Sequence, residues 1–388
     1  MTKRSRPAIH CFPSFEDNRD ESPDESTHGL RCWRVAQNDG GVMRNLMLVG
    51  TAVTRPEAIG SLFRLQPGGE WERVSDIPAD ASVQAITPHP TREDVIYVAA
   101  RKGVFRSTDG GESWQKLNVT DEDVQFWTIV VHPQEPDVLF AGTGPVGVYR
   151  SDDGGDTWRK CNAHHPERFQ IRFGHSRVMR IAFHPTNPAI MYAVAEINGF
   201  LVSEDGGENW RGEPAGLVKM AEAPNLKSKI ETDDDSEGMF DAHSVCTSHT
   251  TPDSLFYICR LGIFESKDKG KTFRDLEVGK FAPFQYTREC RFVFGNPKKM
   301  YACFSISSRS AAGALYVSDD LGETWSRADA AVEPRSTMMG FGTHVSDPDG
   351  VITVTRGGQV FFTTDGSQSW TEKQLPAQAG DAFCGAIL

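Results

Sequence analysis

One eight-residue pattern, Ser/Thr-x-Asp-x-Gly-x-x-Trp, recurs along this chain and restricts its fold more than any other feature. The copies lie 44 to 63 residues apart and begin at Ser107, Ser151, Ser203, Ser266, Ser318 and Thr363. The fourth copy has Phe273 in place of Trp, and the last has Ser367 in place of Gly. A degenerate copy ends at Trp71. Repetition at this period indicates an array of equal structural units.

Each copy has the composition of a turn between two β-strands. The residues before it are apolar and β-prone, as in 103–106, so the pattern is predicted to connect a hairpin. Ser and Asp side chains can bond backbone N–H groups inside the turn, and Gly permits a positive φ. The Trp offers a large apolar surface for packing. The repeated aspartates are therefore assigned to structure and not to catalysis.

A second pair of strands precedes each hairpin. A strand, a turn with proline and another strand run through 86–98, 130–140 and 182–192, with weaker copies at 248–257 and 295–301. Together the two pairs make four antiparallel strands, named A to D here. Four-stranded units at this period form the blades of a propeller. His89, His132 and His184 fall in the A–B turns and are assigned to turn structure.

We predict an all-β fold, a seven-bladed β-propeller of four-stranded antiparallel blades with Asp-box turns. The blades are placed at 31–76, 82–118, 125–162, 177–213, 241–277, 288–329 and 340–374. Two ways of closing the ring stay open. Residues 382–387 form the inner strand of blade 1, or residues 32–36 do so and the C-terminal segment pairs outside. The propeller is predicted to span 29–388 after a mobile polar segment over 1–28.

The turn pattern, together with the His-Pro strand pair, resembles the Asp-box (BNR) propeller superfamily. That group includes sialidases, xyloglucanases, sortilin-type receptors and photosystem assembly factors. The resemblance runs from about residue 31 to near the C-terminus and implies the fold, not an activity, because the matching residues are structural. Sialidases of this type carry an Arg-Ile-Pro segment, which this sequence lacks, and xyloglucanases use two facing propellers.

Composition limits the partners and the compartment. The net charge is −12 and the pI about 5.4, which argues against nucleic acid or an acidic membrane surface as a partner. No apolar run is long enough to span a membrane, and no signal-peptide pattern follows the basic N-terminus. The eight cysteines show no regular spacing. We therefore expect a reduced, cytoplasmic protein.

Propeller geometry predicts a ligand site where the inner strands converge on the central channel. Both kinds of turn described above share one rim, the bottom, so the site is expected at the opposite, top rim. The links into blades 4, 5 and 6 are long, covering 161–176, 211–240 and 278–287, and loop 305–314 of blade 6 is enlarged. Long ordered loops in a compact fold usually serve a function.

Histidine, carboxylate, arginine and aromatic side chains are predicted to meet at this top opening. The predicted catalytic residues are His175, His243, Asp241 and Glu289. The predicted substrate-binding residues are Arg177, Arg288, Arg291, Arg260, Arg101, Arg356, Trp127, Tyr286 and His344, with Glu196 beside them. Arginine holds carboxylate, sulfate or phosphate bidentately, and histidine transfers protons near neutral pH. The alternative is that the arginines form ion pairs between blades.

Two functions of different classes follow from this reading. The first is an enzyme, a lyase or hydrolase, that acts on a small anionic molecule or saccharide through histidine and carboxylate acid–base chemistry. The second is a noncatalytic scaffold that binds a protein or peptide, for which the acidic segment 231–237 is a candidate contact. No cofactor is predicted. A divalent metal held by His175 and His243, with Glu289 or His344, is an alternative without a short ligand motif.

Overall fold

A computed structural model describes residues 46–388 except positions 120, 122, 166, 167, 170, 172, 173, 213, 214 and 345. The predicted segment 1–28 and the possible closing segment 32–36 lie outside the described residues. The described chain is almost entirely β and forms seven blades of four antiparallel strands in a ring. This confirms the predicted fold class.

The strands of each blade follow one another outward from the central channel. Blade 1 contains β29 (Asp381–Ile387), β1 (Met47–Ala52), β2 (Leu62–Leu65) and β3 (Glu72–Arg73). Blade 2 contains β4 (Val83–Pro88), β5 (Ile96–Ala100), β6 (Gly103–Ser107) and β7 (Gln115–Lys116). Blade 3 contains β8 (Gln125–Val131), β9 (Leu139–Gly144), β10 (Gly147–Ser151) and β11 (Arg159–Lys160).

Blade 4 has a fifth strand on its outer side. It contains β13 (Val178–Phe183), β14 (Met191–Ala195), β15 (Gly199–Ser203), β16 (Asn209–Gly212) and the added β12 (Asn162–His164), which pairs in parallel with β16. Blade 5 contains β17 (Ala242–Ser248), β18 (Thr251–Cys259), β19 (Gly262–Ser266) and β20 (Arg274–Asp275). The link from blade 4 to blade 5 holds helices α1 (Ala215–Ala221) and α2 (Glu237–Phe240).

The last two blades complete the ring. Blade 6 contains β21 (Tyr286–Val293), β22 (Asn296–Ser305), β23 (Gly313–Ser318) and β24 (Ser326–Arg327). Blade 7 contains β25 (Met338–Thr343), β26 (Val351–Thr355), β27 (Gln359–Thr363) and β28 (Thr371–Gln374). The inner strands contact one another in the order β29, β4, β8, β13, β17, β21, β25 and back to β29.

The C-terminal strand is the inner strand of blade 1. It pairs with β1 from Met47↔Ile387 to Ala52↔Asp381. Of the two closures left open by the sequence, the structure therefore has the one in which the C-terminal segment occupies the inner place. This pairing joins the two ends of the described chain and covers the inner edge of β1.

The Asp-box turns have the hydrogen bonds that their composition predicts. In blade 2, Ser107 Oγ donates to Asp109 Oδ1 at 2.8 Å and accepts from Gly111 N at 2.8 Å. The Trp114 indole donates to Gly111 O at 3.1 Å. Blade 7 lacks the Gly, and Ser367 takes its place with φ 76°. There Trp370 Nε1 donates instead to Ala328 O of the neighbouring blade, at 2.9 Å.

The Asp-box carboxylates make the fold sensitive to acid. Bonds from Thr157 lower the pKa of Asp153 to about 2, and side-chain bonds likewise lower the pKa of Asp109 and Asp205. A depressed native pKa stabilises the fold above the unfolded pKa of about 4, and that stability is lost as pH falls through the native value. We expect the melting temperature to fall between about pH 4 and about pH 2.

Asp153→Asn tests this expectation, with the exposed Asp94→Asn as its control. The Asp153 variant should melt lower at neutral pH and lose less further stability on acidification than the parent. Parallel curves of melting temperature against pH for parent and Asp153 variant would contradict a contribution from this carboxylate.

Buried apolar side chains fill the spaces between neighbouring blades. Trp210 of blade 4, for example, belongs to a buried cluster with Phe140 of blade 3 and Met191 of its own blade. The six described cysteines are free and buried, and burial raises the pKa of Cys161 to about 12. None of the helices in the described part of the chain has the length and apolar character needed to cross a membrane.

Candidate functional site

All seven inner strands contain a β-bulge near their top ends. The pairing register of strand A with strand B shifts by one residue at this point in every blade. The bulged residues are Gln84, Trp127, Met179, His243, Arg288, Met339 and Phe383. A bulge redirects a side chain out of the regular alternation. Together with Arg180, these seven residues line the narrow part of the channel.

Above these bulged residues the channel widens into a cavity of about 320 Å³. Nine of the residues predicted from the sequence line it: Arg101, Trp127, Arg177, Asp241, His243, Arg260, Tyr286, Arg288 and Arg356. Glu196 lines it as well. The volume is at the lower end of the range typical of small-molecule sites, roughly 300–1,000 Å³. The cavity therefore suits a small ligand.

The cavity is strongly cationic although the protein is acidic. Its lining contains six guanidinium groups, those of Arg101, Arg177, Arg260, Arg288, Arg309 and Arg356, against the two carboxylates of Glu196 and Asp241. The whole chain carries a net charge of −12. A cleft lined by one sign of charge concentrates ligands of the opposite sign.

His243 is held in a defined orientation at the bottom of this cavity. Its side chain is 1% exposed, and Nδ1 lies 2.7 Å from the Thr287 carbonyl oxygen. A carbonyl oxygen can only accept, so Nδ1 carries a proton and Nε2 is left for another partner. Nε2 lies 3.5 Å from Asp241 Oδ2. The Tyr286 ring packs against the imidazole, with ring centroids 5.1 Å apart.

Asp241 stays ionised beside this imidazole. It follows α2 at the start of blade 5, and its backbone carbonyl accepts from Arg260 N at 3.2 Å. Burial opposes ionisation of the Asp241 carboxyl, but the interaction with His243 and the positive charges of Arg260 and Arg288 outweigh it and lower the pKa of Asp241. An ionised carboxylate at this position stabilises a protonated His243.

Glu196, Asp241 and His243 form the one group in the described chain whose ligand atoms could converge on a metal ion, all within 4.8 Å of one another. Guanidinium groups already surround its carboxylates. Arg177 Nε donates to Glu196 Oε2, and Arg260 Nη1 lies 3.9 Å from Asp241 Oδ2. The guanidinium groups beside both carboxylates would repel a divalent cation. These contacts favour an ion-pair network that holds the arginines in place.

His175 does not reach the cavity, contrary to the prediction. Its side chain is exposed, and it is absent from the lining residues. The sequence predicts that His175 and His243 meet, because each stands near the start of the inner strand of its blade. The bulges show that Met179 is the equivalent of His243, so His175 lies four residues too early. The predicted metal pair of His175 and His243 therefore does not form.

His344 lies at the bottom rim, so its predicted place at the top opening is wrong. It directly follows β25, whose top end is at Met338. Its Nδ1 accepts the backbone N–H groups of Ser346 and Asp347, both at 3.1 Å. His89 accepts from the equivalent N–H groups of its own A–B turn. His344 is thus the turn histidine of blade 7, in a turn that lacks the adjacent proline.

Glu289, which is buried, and Arg291, which is partly exposed, lie below the cavity and belong to an ion-pair network between blades. Glu289 is 1% exposed and accepts from Arg180 Nε at 3.1 Å and Ser244 Oγ at 2.7 Å. Burial opposes its ionisation, but Arg180 and Arg291 lower its pKa. The Arg291 guanidinium lies over the Phe341 ring. The bulge gives the cavity-facing place to Arg288 and leaves Glu289 against the neighbouring inner strands.

Several lining residues were not predicted from the sequence. They are Thr54, Ile197, Ile230, Ser308, Arg309, Met339 and Phe383. Arg309 belongs to the enlarged loop of blade 6, and Ile230 to the long link into blade 5. The buried Glu237 carboxylate shapes that link by accepting the N–H groups of Ile230, Glu231 and Thr232 at 2.7 to 2.9 Å. Met339 and Phe383 share the bulge position with His243, and no residue type in the sequence marks that position.

Comparison with known proteins supports the fold and gives no narrower assignment. The BNR/Asp-box repeat family model matches residues 105–116 and 316–327. No curated protein sequence matches the chain.

Among solved structures, the chain is similar to two GH74 enzymes. One is the GH74 xyloglucanase from Xanthomonas campestris, with TM-score 0.58, 15% identity, and coverage of 75% of this chain and 45% of that one. The other is the Niastella koreensis GH74 enzyme, with TM-score 0.55, 17% identity, and coverage of 76% and 45%. This chain thus spans less than half the length of either enzyme.

YCF48 from Cyanidioschyzon merolae is also similar, with TM-score 0.51, 15% identity, and coverage of 77% of this chain and 86% of that one. At these identities the similarities concern the fold alone.

Proposed function

We propose that this chain, a seven-bladed propeller of the BNR/Asp-box type, is an enzyme that binds a small anionic molecule in the top cavity and transfers a proton through His243. One observation carries the proposal. A buried imidazole, oriented by Thr287 O, lies at the bottom of a cavity lined by six guanidinium groups. An anionic group held by arginine would bring a neighbouring carbon or leaving oxygen to Nε2.

The proposed roles follow from the protonation states. Neutral His243 accepts a proton at Nε2, because Nδ1 already carries one. The resulting imidazolium gains stability from the ionised Asp241. Arg288 and Arg260 stabilise negative charge that develops on the substrate. Removal of a proton beside a carboxylate, followed by elimination, fits these roles and makes the enzyme a lyase. The same roles would serve a hydrolase if His243 Nε2 takes a proton from a water molecule whose oxygen attacks the substrate, and then returns that proton to the oxygen of the leaving group.

Glycoside cleavage by two carboxylates is the weaker reading of this cavity. Such a reaction needs one carboxyl group protonated as the general acid, with a raised pKa. The pKa of Asp241 is lowered, and Glu196 is bonded to Arg177. The similarity to GH74 enzymes therefore does not extend to a proposed mechanism.

Binding without turnover is a second candidate. Ile306 and Val53, just beyond the ends of β22 and β1 at the top rim, are 63% and 37% exposed. Apolar side chains beside a cationic cavity would suit a peptide that inserts a carboxylate into the channel. This candidate requires affinity for peptides and no chemical change in any ligand.

Ligand screening in D₂O tests the proposal. The purified chain is incubated with uronic acids, hydroxycarboxylates, and sulfated and phosphorylated sugars, alongside neutral sugars, and each solution is followed by proton NMR. We expect at least one anion to bind, with affinity that falls as salt rises, and to lose a C–H signal or form product. Equal binding of neutral sugars, or peptide binding without exchange in any small anion, would overturn the enzymatic proposal.

A further inference from the structure

We infer that the side of the cavity formed by blades 2 to 4 is a subsite for a dianionic group, and that the ligand is a small phosphate monoester. The inference deepens the proposed function and rests on it for the reaction, but not for the binding. Three residues carry it: Trp127 on the bulge of blade 3, Arg101 at the top of blade 2, and Arg177 at the top of blade 4.

Trp127 offers a buried hydrogen-bond donor without a partner. The residue is 3% exposed, and its Nε1 has no acceptor among the described residues. A buried N–H group left unpaired costs stability, so such groups are rare and point to a missing partner. The bulge aims this indole at the cavity, which it lines. An oxygen of a bound ligand would accept from Nε1.

Gly144 lets strand B of blade 3 pass close to this donor. A Cβ atom at position 144 would lie 3.2 Å from Trp127 Nε1 and 3.0 Å from Arg177 Cβ. Gly144 follows Thr143, the strand-B partner of the residue before the bulge. In blades 2, 4, 5 and 7 the place after that partner holds Arg101, Glu196, Arg260 and Arg356. Blade 3 alone among these five presents no side chain there. The indole edge and the Arg177 side chain therefore pack directly against the backbone at Gly144, where the other four blades carry a charged side chain.

Two guanidinium groups flank the same indole. The Arg101 and Arg177 guanidinium carbons lie 5.0 and 4.1 Å from the centre of the Trp127 ring. Arg177 is bonded to Glu196, whereas Arg101 has no carboxylate within 4.0 Å in the described chain, and its buried Nε lacks a hydrogen-bond partner. Burial, and then the charge of Arg177, lower the pKa of Arg101. The charge of Glu196 acts on Arg101 as well, so two guanidinium groups and the carboxylate of Glu196 line this side of the cavity.

The arrangement suits a dianion better than a carboxylate. A phosphate monoester carries a charge of about −1.5 to −2 at pH 7 and has three acceptor oxygens. The donors lie on three separate blades and can therefore reach the three oxygens of a phosphate group from different sides. A carboxylate presents only two oxygens, which lie in one plane with its carbon. His243 is the bulged residue of blade 5, two blades from Trp127. A cavity of about 320 Å³ that holds the phosphate at one side leaves room for a sugar-sized remainder at His243.

Calorimetric titration of three anions tests the subsite: glycerol phosphate, sulfate and acetate. The variants are Trp127→Phe, which removes Nε1–H and keeps a ring, and Arg101→Met, which removes the charge. The control is Arg335→Met in blade 7, whose side chain is 58% exposed and pairs with Glu372. We expect both site variants to weaken glycerol phosphate and sulfate by about tenfold or more and to change acetate by less than about twofold.

The pH dependence of binding distinguishes a preference for dianions from general attraction of anions. Glycerol phosphate should bind more tightly as pH rises through its second pKa, about 6, while sulfate keeps its charge and should show no such gain. Unchanged phosphate binding in Arg101→Met, or equal losses for acetate and phosphate, would overturn the subsite while leaving an anion cavity. Failure of all three anions to bind the parent protein would remove the anionic ligand of the proposed function as well.

Discussion

His243→Asn is expected to lower kcat by at least about 100-fold on whichever anion the ligand screen identifies, because it removes the only imidazole that lines the described cavity. The asparagine amide can still donate to Thr287 O, as Nδ1–H does in the parent. The backbone bulge and the charge of the cavity therefore stay in place. KM should change little, since the arginines and not His243 are assigned to ligand binding.

His132→Asn is the matched control for this substitution. His132 lies in an A–B turn at the bottom rim, where its Nδ1 accepts the N–H groups of Gln134 and Glu135. An asparagine oxygen can accept there too. We expect parent-like kcat in this control and melting temperatures close to the parent for both variants. Parent-like kcat in His243→Asn would remove the imidazole from the mechanism.

The fold was predictable because its information is local and repeated. Each Asp box fixes a hairpin through bonds within eight residues, and six copies set the number of blades almost completely. Ring closure was not predictable, because β29 and the segment 32–36 are both short β-prone runs. Which of them pairs with β1 depends on contacts between chain ends more than 300 residues apart, which no local pattern encodes.

The location of the site could be predicted from the sequence, but which residues of each inner strand face the cavity could not. The predicted inner strands are close to the observed ones, and nine of the predicted site residues line one cavity. The bulges could not be predicted, because a bulge shifts the alternation of side chains by one position and no particular residue type marks it. That shift explains why Arg288 faces the cavity and Glu289 does not. It also explains why Met179, and not His175, corresponds to His243.

Arg291 shows how a bulge that was not predicted from the sequence changes the expected effect of a mutation. If Arg291 bound substrate, as predicted from the sequence, Arg291→Ala would weaken ligand binding. The structure puts its guanidinium over Phe341 and beside Glu289, below the cavity. The same substitution is now expected to act on the packing of blades 6 and 7.

The largest expected loss of stability is that of Trp210→Ala, about 3–5 kcal/mol in the free energy of unfolding. Trp210 is 2% exposed, packs with Phe140 and Met191 between blades 3 and 4, and donates to Gly207 O at 2.8 Å. Alanine would leave a cavity in this cluster and an unpaired carbonyl. Trp158 holds the same place in blade 3 but is only partly buried, so Trp158→Ala should cost less.

Trp210→Phe separates packing from hydrogen bonding, because Phe273 already occupies the equivalent place in blade 5. Phenylalanine keeps most of the buried apolar surface and loses only the indole N–H, so we expect it to cost less than half as much as alanine. Urea unfolding, followed by tryptophan fluorescence and circular dichroism, measures all three variants. Equal losses for Trp210→Ala and Trp158→Ala would mean that burial between blades does not determine what an Asp-box tryptophan contributes, since these two side chains share the motif position and differ in exposure.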